Sequence, residues 1–186
     1  MPILPPQIDM YPTDLLDRDP DEGGEGASWF AFYTIARHEK HLMRALAAAE
    51  VPFYAPLVRH RTRYPAGRVR ESQVPLFPGY VFSRADGRQR RLALCTNTVS
   101  KSIPVMEVEA LLEDLKAVKR LVGLGRPVWP EEKLEPGQLV RIRRGALLGV
   151  EGTVVGRRGS ERFVVAVRFL NRGVSLELEG MDVEPI

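Results

Sequence analysis

The spacing of apolar residues divides the chain into alternating strands and helices. Residues 29–35 are aromatic and β-branched in one run, which predicts a buried strand. Residues 37–50 place leucine and methionine side chains at helical spacing, which predicts an amphipathic helix that ends before Pro52. Residues 107–122 carry a longer apolar stripe of the same period, so a second amphipathic helix is expected there.

A basic hairpin is expected between these helices. Residues 53–64 form the next strand, whose second half alternates, and a turn over 65–67 leads into the return strand. Five arginines lie along this ribbon and are the candidate nucleic-acid-binding residues: Arg59, Arg61, Arg63, Arg68 and Arg70. A row of charge is often only a solvated face, but adjacent like charges cost stability unless a polyanion neutralises them. Both interpretations stay open at this point.

The stretch of residues 75–82, with the sequence PLFPGYVF, follows the hairpin. Its two prolines stiffen the backbone and Gly79 permits a turn, so three aromatic side chains are held around a rigid bend. Aromatic residues of this kind are usually core. A cluster beside a rigid bend can also be a docking patch, because aromatic side chains anchor interfaces at low entropic cost.

The element order predicts an α+β fold with an antiparallel-rich sheet flanked by helices. Residues 1–27 are rich in acids, proline and glycine, and are predicted to be a disordered acidic tail. The first domain is placed at 28–124 and a Pro-rich linker at 125–136. Residues 137–186 contain short strands separated by turns, which predict a small closed barrel.

Composition narrows the class of protein. The chain is 44% hydrophobic and 27% charged, with a net charge of +3 that hides an acidic N-terminus and a basic hairpin. A single cysteine, Cys95, and the lack of an apolar run near the roughly 20 residues of a membrane span indicate a cytoplasmic, non-membrane protein. No zinc-ligand, phosphate-loop or catalytic motif is present in the sequence. We therefore expect a binding protein without metal or cofactor, and not an enzyme.

These residues together resemble a known family. Residues 29–82, with their strand, helix, basic hairpin and PLFPGYVF ending, resemble the N-terminal domain of the NusG family of transcription elongation factors. Residues 140–155 have the apolar and glycine spacing of a KOW module. The resemblance implies a NusG-type N-terminal domain joined by the linker to an SH3-like KOW β-barrel.

The resemblance also implies partners and site residues. The family's N-terminal domain binds the clamp helices of RNA polymerase, and the matching positions are Tyr33, Phe77, Pro78, Tyr80 and Phe82. The basic hairpin would face upstream or non-template DNA. The KOW domain would recruit a small-subunit ribosomal protein or a termination factor through Phe169, Leu170, Asn171 and Arg172, although a core role is the stronger alternative for Phe169. A monomer that suppresses pausing or termination is expected.

Two further expectations concern the branch of the family. The short hairpin and the start at residues 28–30 are similar to specialised paralogs related to RfaH. Some of these fold the KOW domain as a helical hairpin, but β-branched residues throughout 140–167 favour the barrel. The alternative function is an RNA-binding, ribosome-associated protein, and an enzyme acting on nucleic acid ranks third.

Overall fold

The computed structural model of the chain describes residues 7–18, 26–63, 67, 69–157 and 160–186. The chain forms two compact units, Met1–Met106 and Glu107–Ile186. Strands β1 to β7 and helices α1 and α2 belong to the first unit, and helix α3 with strands β8 to β13 belongs to the second. The predicted mixture of helices and antiparallel strands is confirmed.

The first unit is built on a five-stranded antiparallel sheet in the order β1-β3-β6-β2-β7. Its strands are β1 (Met10–Tyr11), β2 (Ser28–Thr34), β3 (Phe53–Tyr54), β6 (Tyr80–Ala85) and β7 (Val99–Pro104). A separate antiparallel ribbon is formed by β4 (Leu57–Arg63) and β5 (Val69–Pro75), as the alternating pattern predicts. Among the described residues, the two strands of this hairpin therefore pair only with each other.

Two helices accompany this sheet. Helix α1 (Glu39–Ala48) turns Leu42, Met43 and Leu46 into the core, where they join Phe32 and other side chains of the sheet. Its apolar residues recur every three to four positions, so one face is buried and the other is solvated. Helix α2 (Gly87–Cys95) begins at a capping box in which the Asp86 carboxylate accepts the Gln89 N–H at 2.7 Å.

The N-terminal segment differs from its prediction. Residues 7–18 were expected to lie in a disordered tail, but β1 pairs with β3, and Leu15 and Leu16 are buried. The acids and prolines of this segment conceal three apolar side chains, which gain enough from burial to order the backbone around them. The prediction is therefore wrong for residues 7–18, and residues 1–6 and 19–25 lie outside the described ranges.

The second unit contains a six-stranded antiparallel sheet in the order β13-β9-β10-β11-β12-β8. Its strands are β8 (Trp129–Glu131), β9 (Gln138–Ile142), β10 (Glu151–Arg157), β11 (Ser160–Val167), β12 (Arg172–Glu177) and β13 (Val183–Pro185). The β-branched residues thus form strands and not a helical hairpin, as expected. Closure into an SH3-like KOW barrel stays a prediction.

Helix α3 (Val108–Gly123) and the expected linker both contribute to this second unit. The helix packs on β11 and on the 3-10 turn Arg168–Leu170, although the sequence placed it in the first domain. Within residues 125–136, β8 pairs with β12, so part of the expected linker is a strand of the sheet. The boundary between the two units along the chain therefore lies between residues 106 and 107, and not within residues 125–136. Long-range contacts, and not proline content, decide which segments pack together.

Candidate functional site: an aromatic patch and a basic hairpin

Two tyrosines stand side by side at one end of the first sheet. Tyr33 of β2 and Tyr80 of β6 are directly paired across the strands, and their ring centroids are 5.1 Å apart at an interplanar angle of 56°. Tyr33 is 39% exposed and Tyr80 is half-buried. Together with the exposed Pro78 they form what we call the aromatic patch. Tilted aromatic pairs of this kind give a rigid, amphipathic surface.

The other two predicted docking residues do not reach the surface. Phe77 is 2% exposed and Phe82 is completely buried. Strand β6 lies between β3 and β2 and is covered on both faces except at its first residue, Tyr80. Phe82 on β6 and Phe77 in the bend before it therefore belong to the core, and the prediction that they form part of the contact surface is corrected.

The bend before β6 is held in place by hydrogen bonds. Gly79 has a φ of +88°, a conformation that glycine adopts without strain. A Cβ at this position would lie 2.8 Å from Cε2 of Tyr33, so only a glycine lets that ring pack on the backbone. The Gly79 carbonyl accepts the Thr34 N–H at 2.8 Å, and the Gly79 N–H donates to the Glu39 carboxylate at 2.7 Å. Sequence reasoning did not find Glu39, since its partner is 40 positions away.

The basic hairpin presents at least two arginines to solvent. The side chains of Arg59 and Arg61 are 80% and 75% exposed, and both lie near the same carboxylate, Glu71, at 3.6 and 4.0 Å. At these distances and exposures the pairing contributes little, so their charge is available to a polyanion. Of the other candidates, Arg63 and Arg70 are described only through their backbone register, and Arg68 lies outside the described residues.

The four candidate residues of the second unit lie together in one turn. Phe169 and Leu170 end the 3-10 turn and are half-buried, Asn171 adopts the left-handed conformation with a φ of +50°, and Arg172 begins β12. Phe169 is thus neither a fully buried core residue nor a freely exposed one. The turn is a compact surface feature held beside α3.

An ion pair between Arg168 and α3 fixes this turn. The Asp114 carboxylate accepts the Arg168 backbone N–H at 2.8 Å and approaches its guanidinium Nη2 at 2.9 Å. These hydrogen bonds raise the pKa of the Arg168 guanidinium, although its partial burial opposes them. The Asp114 side chain is 10% exposed and that of Arg168 is 57% exposed, so the carboxylate is shielded from solvent while the guanidinium stays partly in water.

The described residues contain little else that suggests chemistry. Within them, the side chains form no group of three or more metal-ligating residues. No helix in the described part of the chain has the length and apolar character to span a membrane. The surface features that remain are the aromatic patch, the hairpin arginines and the turn after β11.

Comparison with known proteins adds the family. The model of the family described as "NusG: Transcription termination factor nusG" matches residues 27–132, more than half of the chain. No curated protein sequence matches this chain. A solved chain titled "Crystal Structure of MjSpt4:Spt5 complex conformation B" is 16% identical, with 85% of this chain and 97% of that chain covered and a TM-score of 0.26. A TM-score this low says nothing about how the residues are arranged.

Proposed function

The chain belongs to the NusG family of transcription factors, and we propose that it is an elongation factor that binds RNA polymerase through the aromatic patch and suppresses pausing or termination. The observation that carries the proposal is the tilted pair of the exposed Tyr33 and the half-buried Tyr80, beside the Gly79 bend. Such a surface offers a large contact area and few rotatable bonds, which is what an interface anchor requires.

The polymerase contact is proposed to be the clamp helices. A helix presents apolar ridges, and the two tilted rings, whose centroids lie 5.1 Å apart, form one continuous apolar surface on which such a ridge can pack. The Gly79 bend is held by its hydrogen bonds with Glu39 and Thr34, so the patch changes little on binding. Binding energy is then not spent on ordering the site.

The hairpin is proposed to contact upstream or non-template DNA. Arg59 and Arg61 project from a ribbon that is separate from the main sheet, with about three quarters of each side chain in solvent. Arginine binds phosphate through two parallel N–H groups and stacks on bases, so it suits single-stranded or distorted DNA. The patch would supply affinity for the protein partner, and the hairpin would hold the nucleic acid.

The second unit is proposed to recruit a further partner through the turn of Phe169, Leu170, Asn171 and Arg172. A small-subunit ribosomal protein or a termination factor is the partner class that we propose. Half-buried apolar side chains beside an exposed Asn171 give a turn both area and hydrogen-bonding groups. A specialised role in antitermination, similar to that of RfaH-related paralogs, is also proposed, from the short hairpin and the start at residues 28–30.

The proposal is tested by titrating purified bacterial core RNA polymerase with the wild-type protein and with Tyr80→Ala. We expect the variant to bind at least about 10-fold more weakly, because an aromatic anchor at an interface centre contributes this much or more. Leu92→Ala is the control, since Leu92 is 44% exposed but lies on α2, outside the aromatic patch. Equal binding by all three proteins would contradict the patch as the docking site.

An RNA-binding, ribosome-associated function is the second candidate, and the exposed Arg59 and Arg61 favour it as well as the first. The same titration separates the two. If the folded wild-type protein does not bind polymerase but binds ribosomes with a strong salt dependence, the ribosome-associated function is supported and the polymerase-binding function is rejected.

A further inference from the structure

A buried carboxylate lies behind the aromatic patch. Glu39 is the first residue of α1 and is only 6% exposed, and its Oε1 accepts the Gly79 N–H at 2.7 Å. Removing a carboxylate from water is costly unless strong hydrogen bonds replace the lost hydration. An acidic side chain in the first helical turn is favourable even when it stays in water, so helix stability alone does not require Glu39 to be buried.

The hydrogen bond to Glu39 restrains Gly79, whose carbonyl group is also held by a hydrogen bond. The Gly79 carbonyl accepts the Thr34 N–H at 2.8 Å, so the peptide groups on both sides of Gly79 are fixed. The ring of Tyr33 packs directly on Gly79, since a Cβ built there would lie only 2.8 Å from Cε2 of Tyr33. Tyr80 is the next residue along the chain and begins β6. The position of Gly79 therefore determines where both tyrosine rings lie.

From this arrangement we propose that Glu39 is a positioning residue for the aromatic patch. It does not contact the partner; it holds the Gly79 bend so that Tyr33 and Tyr80 keep their tilted pairing before binding. Without it, the Gly79 N–H would turn toward water and the bend would sample other conformations. The partner would then have to order the patch at its own cost in affinity. This inference rests on the proposed polymerase-binding function of the same patch.

Three variants separate positioning from general stability. Glu39→Ala removes the acceptor, and Glu39→Gln keeps an oxygen that can accept the Gly79 N–H. Ser83→Ala is the matched control, because the buried Ser83 hydroxyl also makes a 2.7 Å bond to backbone, donating to the Pro52 carbonyl. It removes a hydrogen bond of the same length from the same unit without touching Gly79.

The first measurement is made on the free, full-length protein by NMR. In Glu39→Ala we expect the Gly79 amide resonance to move upfield, as a lost hydrogen bond requires, and the contacts between the Tyr33 and Tyr80 rings to weaken. In Glu39→Gln and Ser83→Ala both signals should stay near their wild-type values. Unchanged Gly79 and tyrosine signals in Glu39→Ala would overturn the positioning role, whatever the partner is.

The second measurement is the polymerase titration. We expect about a 10-fold loss of affinity for Glu39→Ala, and near wild-type binding for Glu39→Gln and for Ser83→Ala, even where Ser83→Ala lowers Tm as much as Glu39→Ala does. Equal losses in Glu39→Ala and Ser83→Ala would show a merely structural role. If wild type does not bind polymerase, the proposed function fails, while the NMR result still decides whether Glu39 positions the patch.

Discussion

Arginines are used differently in the two units of this protein. In the hairpin of the first unit, Arg59 and Arg61 lie near one shared carboxylate at 3.6 and 4.0 Å. In the sheet of the second unit, arginines have acids of their own. Those pairs are Arg141 with Glu151 at 2.6 Å, Arg143 with Glu184 at 3.5 Å and Arg144 with Asp182 at 3.1 Å.

The difference shows that net charge is a poor guide to where a polyanion binds. Both regions are rich in arginine, but the second unit neutralises its charge over distances of a few ångströms, and a phosphate would have to compete with carboxylates already in place. The hairpin leaves most of its charge uncompensated among the described residues, and folding gains little from it. We infer that the hairpin charge serves binding and that the charge on the second sheet serves local structure.

The largest effect is expected from reversing the hairpin charge. Arg59→Glu combined with Arg61→Glu should weaken binding to single-stranded DNA by about 100-fold, because two phosphate contacts are lost and repulsion is added. The slope of log affinity against log salt should also fall by at least about 1.4. Fluorescence anisotropy at several salt concentrations measures both quantities.

The matched control is in the second unit. Arg141→Ala combined with Arg143→Ala removes two positive charges that already have acidic partners. DNA affinity and its salt slope should stay close to wild type. If this pair of changes weakens binding as much as the hairpin changes do, the distinction between binding arginines and structural arginines does not hold.

The next largest effect concerns Arg168, an arginine of the second unit whose partner Asp114 is largely buried. Asp114→Ala should lower the free energy of unfolding of this unit by about 2 kcal/mol, because Arg168 loses its hydrogen-bonded partner although its own side chain can still reach water. Glu113→Ala is the control. Glu113 also approaches Arg168, at 3.3 Å, but is 76% exposed and should contribute less than about 0.5 kcal/mol.

Unfolding in urea, followed by Trp129 fluorescence in a Trp29→Phe background, reports on the second unit because Trp129 lies in β8. A loss of similar size in both variants would show that burial of Asp114 adds nothing to this pair.

Local patterns predicted the elements of this fold better than their grouping. Helix α3 was expected from its apolar period and is present, but that period cannot indicate which sheet the stripe packs on. Strand β8 lies in a Pro-rich segment that has the composition of a linker, and its pairing with β12 depends on residues more than 40 positions away. Composition averages likewise concealed the buried Leu15 and Leu16 among acids.

The aromatic patch was predicted only in part for a similar reason. The family resemblance named Tyr33 and Tyr80 as docking residues, and the β2–β6 register brings them together, while their docking role stays a prediction. Phe77 and Phe82 have the same aromatic character but are buried, Phe82 on β6, an inner strand covered on both faces, and Phe77 in the bend before it. Exposure depends on strand order, which one sequence does not reveal, and the contact between Glu39 and Gly79 depends on it too.

A smaller effect is expected from a buried ionisable group of the first unit, Tyr54, which makes the free energy of unfolding depend on pH. Burial, and to a lesser degree the charge of Asp9, raise the pKa of the Tyr54 hydroxyl in the first unit. The folded pKa exceeds the unfolded value of about 10, so ionisation of this hydroxyl favours the unfolded chain. The contribution of the protonated hydroxyl to folding stability is therefore fully present below about pH 10 and is lost as the pH rises from there toward the folded pKa. The free energy of unfolding should fall by up to about 1.4 kcal/mol per pH unit there.

Tyr54→Phe removes this term, so the difference in unfolding free energy between wild type and variant should shrink or change sign above about pH 10. Trp29 fluorescence in a Trp129→Phe background follows the first unit, since Trp29 is in β2. A difference that stays constant from pH 8 to about pH 11.5 would show that Tyr54 ionises as easily in the folded protein as in the unfolded chain.

The smallest effect is expected from a single exposed pair of the second unit. Arg143→Ala should change the free energy of unfolding by about 0.5 kcal/mol or less, since the side chains of Arg143 and Glu184 are 52% and 45% exposed and separated by 3.5 Å. The effect should vanish in about 1 M salt, where exposed charges are screened within a few ångströms. A double-mutant cycle with Glu184→Ala measures the pair itself. A coupling of 2 kcal/mol or more that persists in salt would mean that these pairs hold the sheet together. The difference from the hairpin arginines would then be larger still, because the charges of Arg59 and Arg61 contribute little to folding stability.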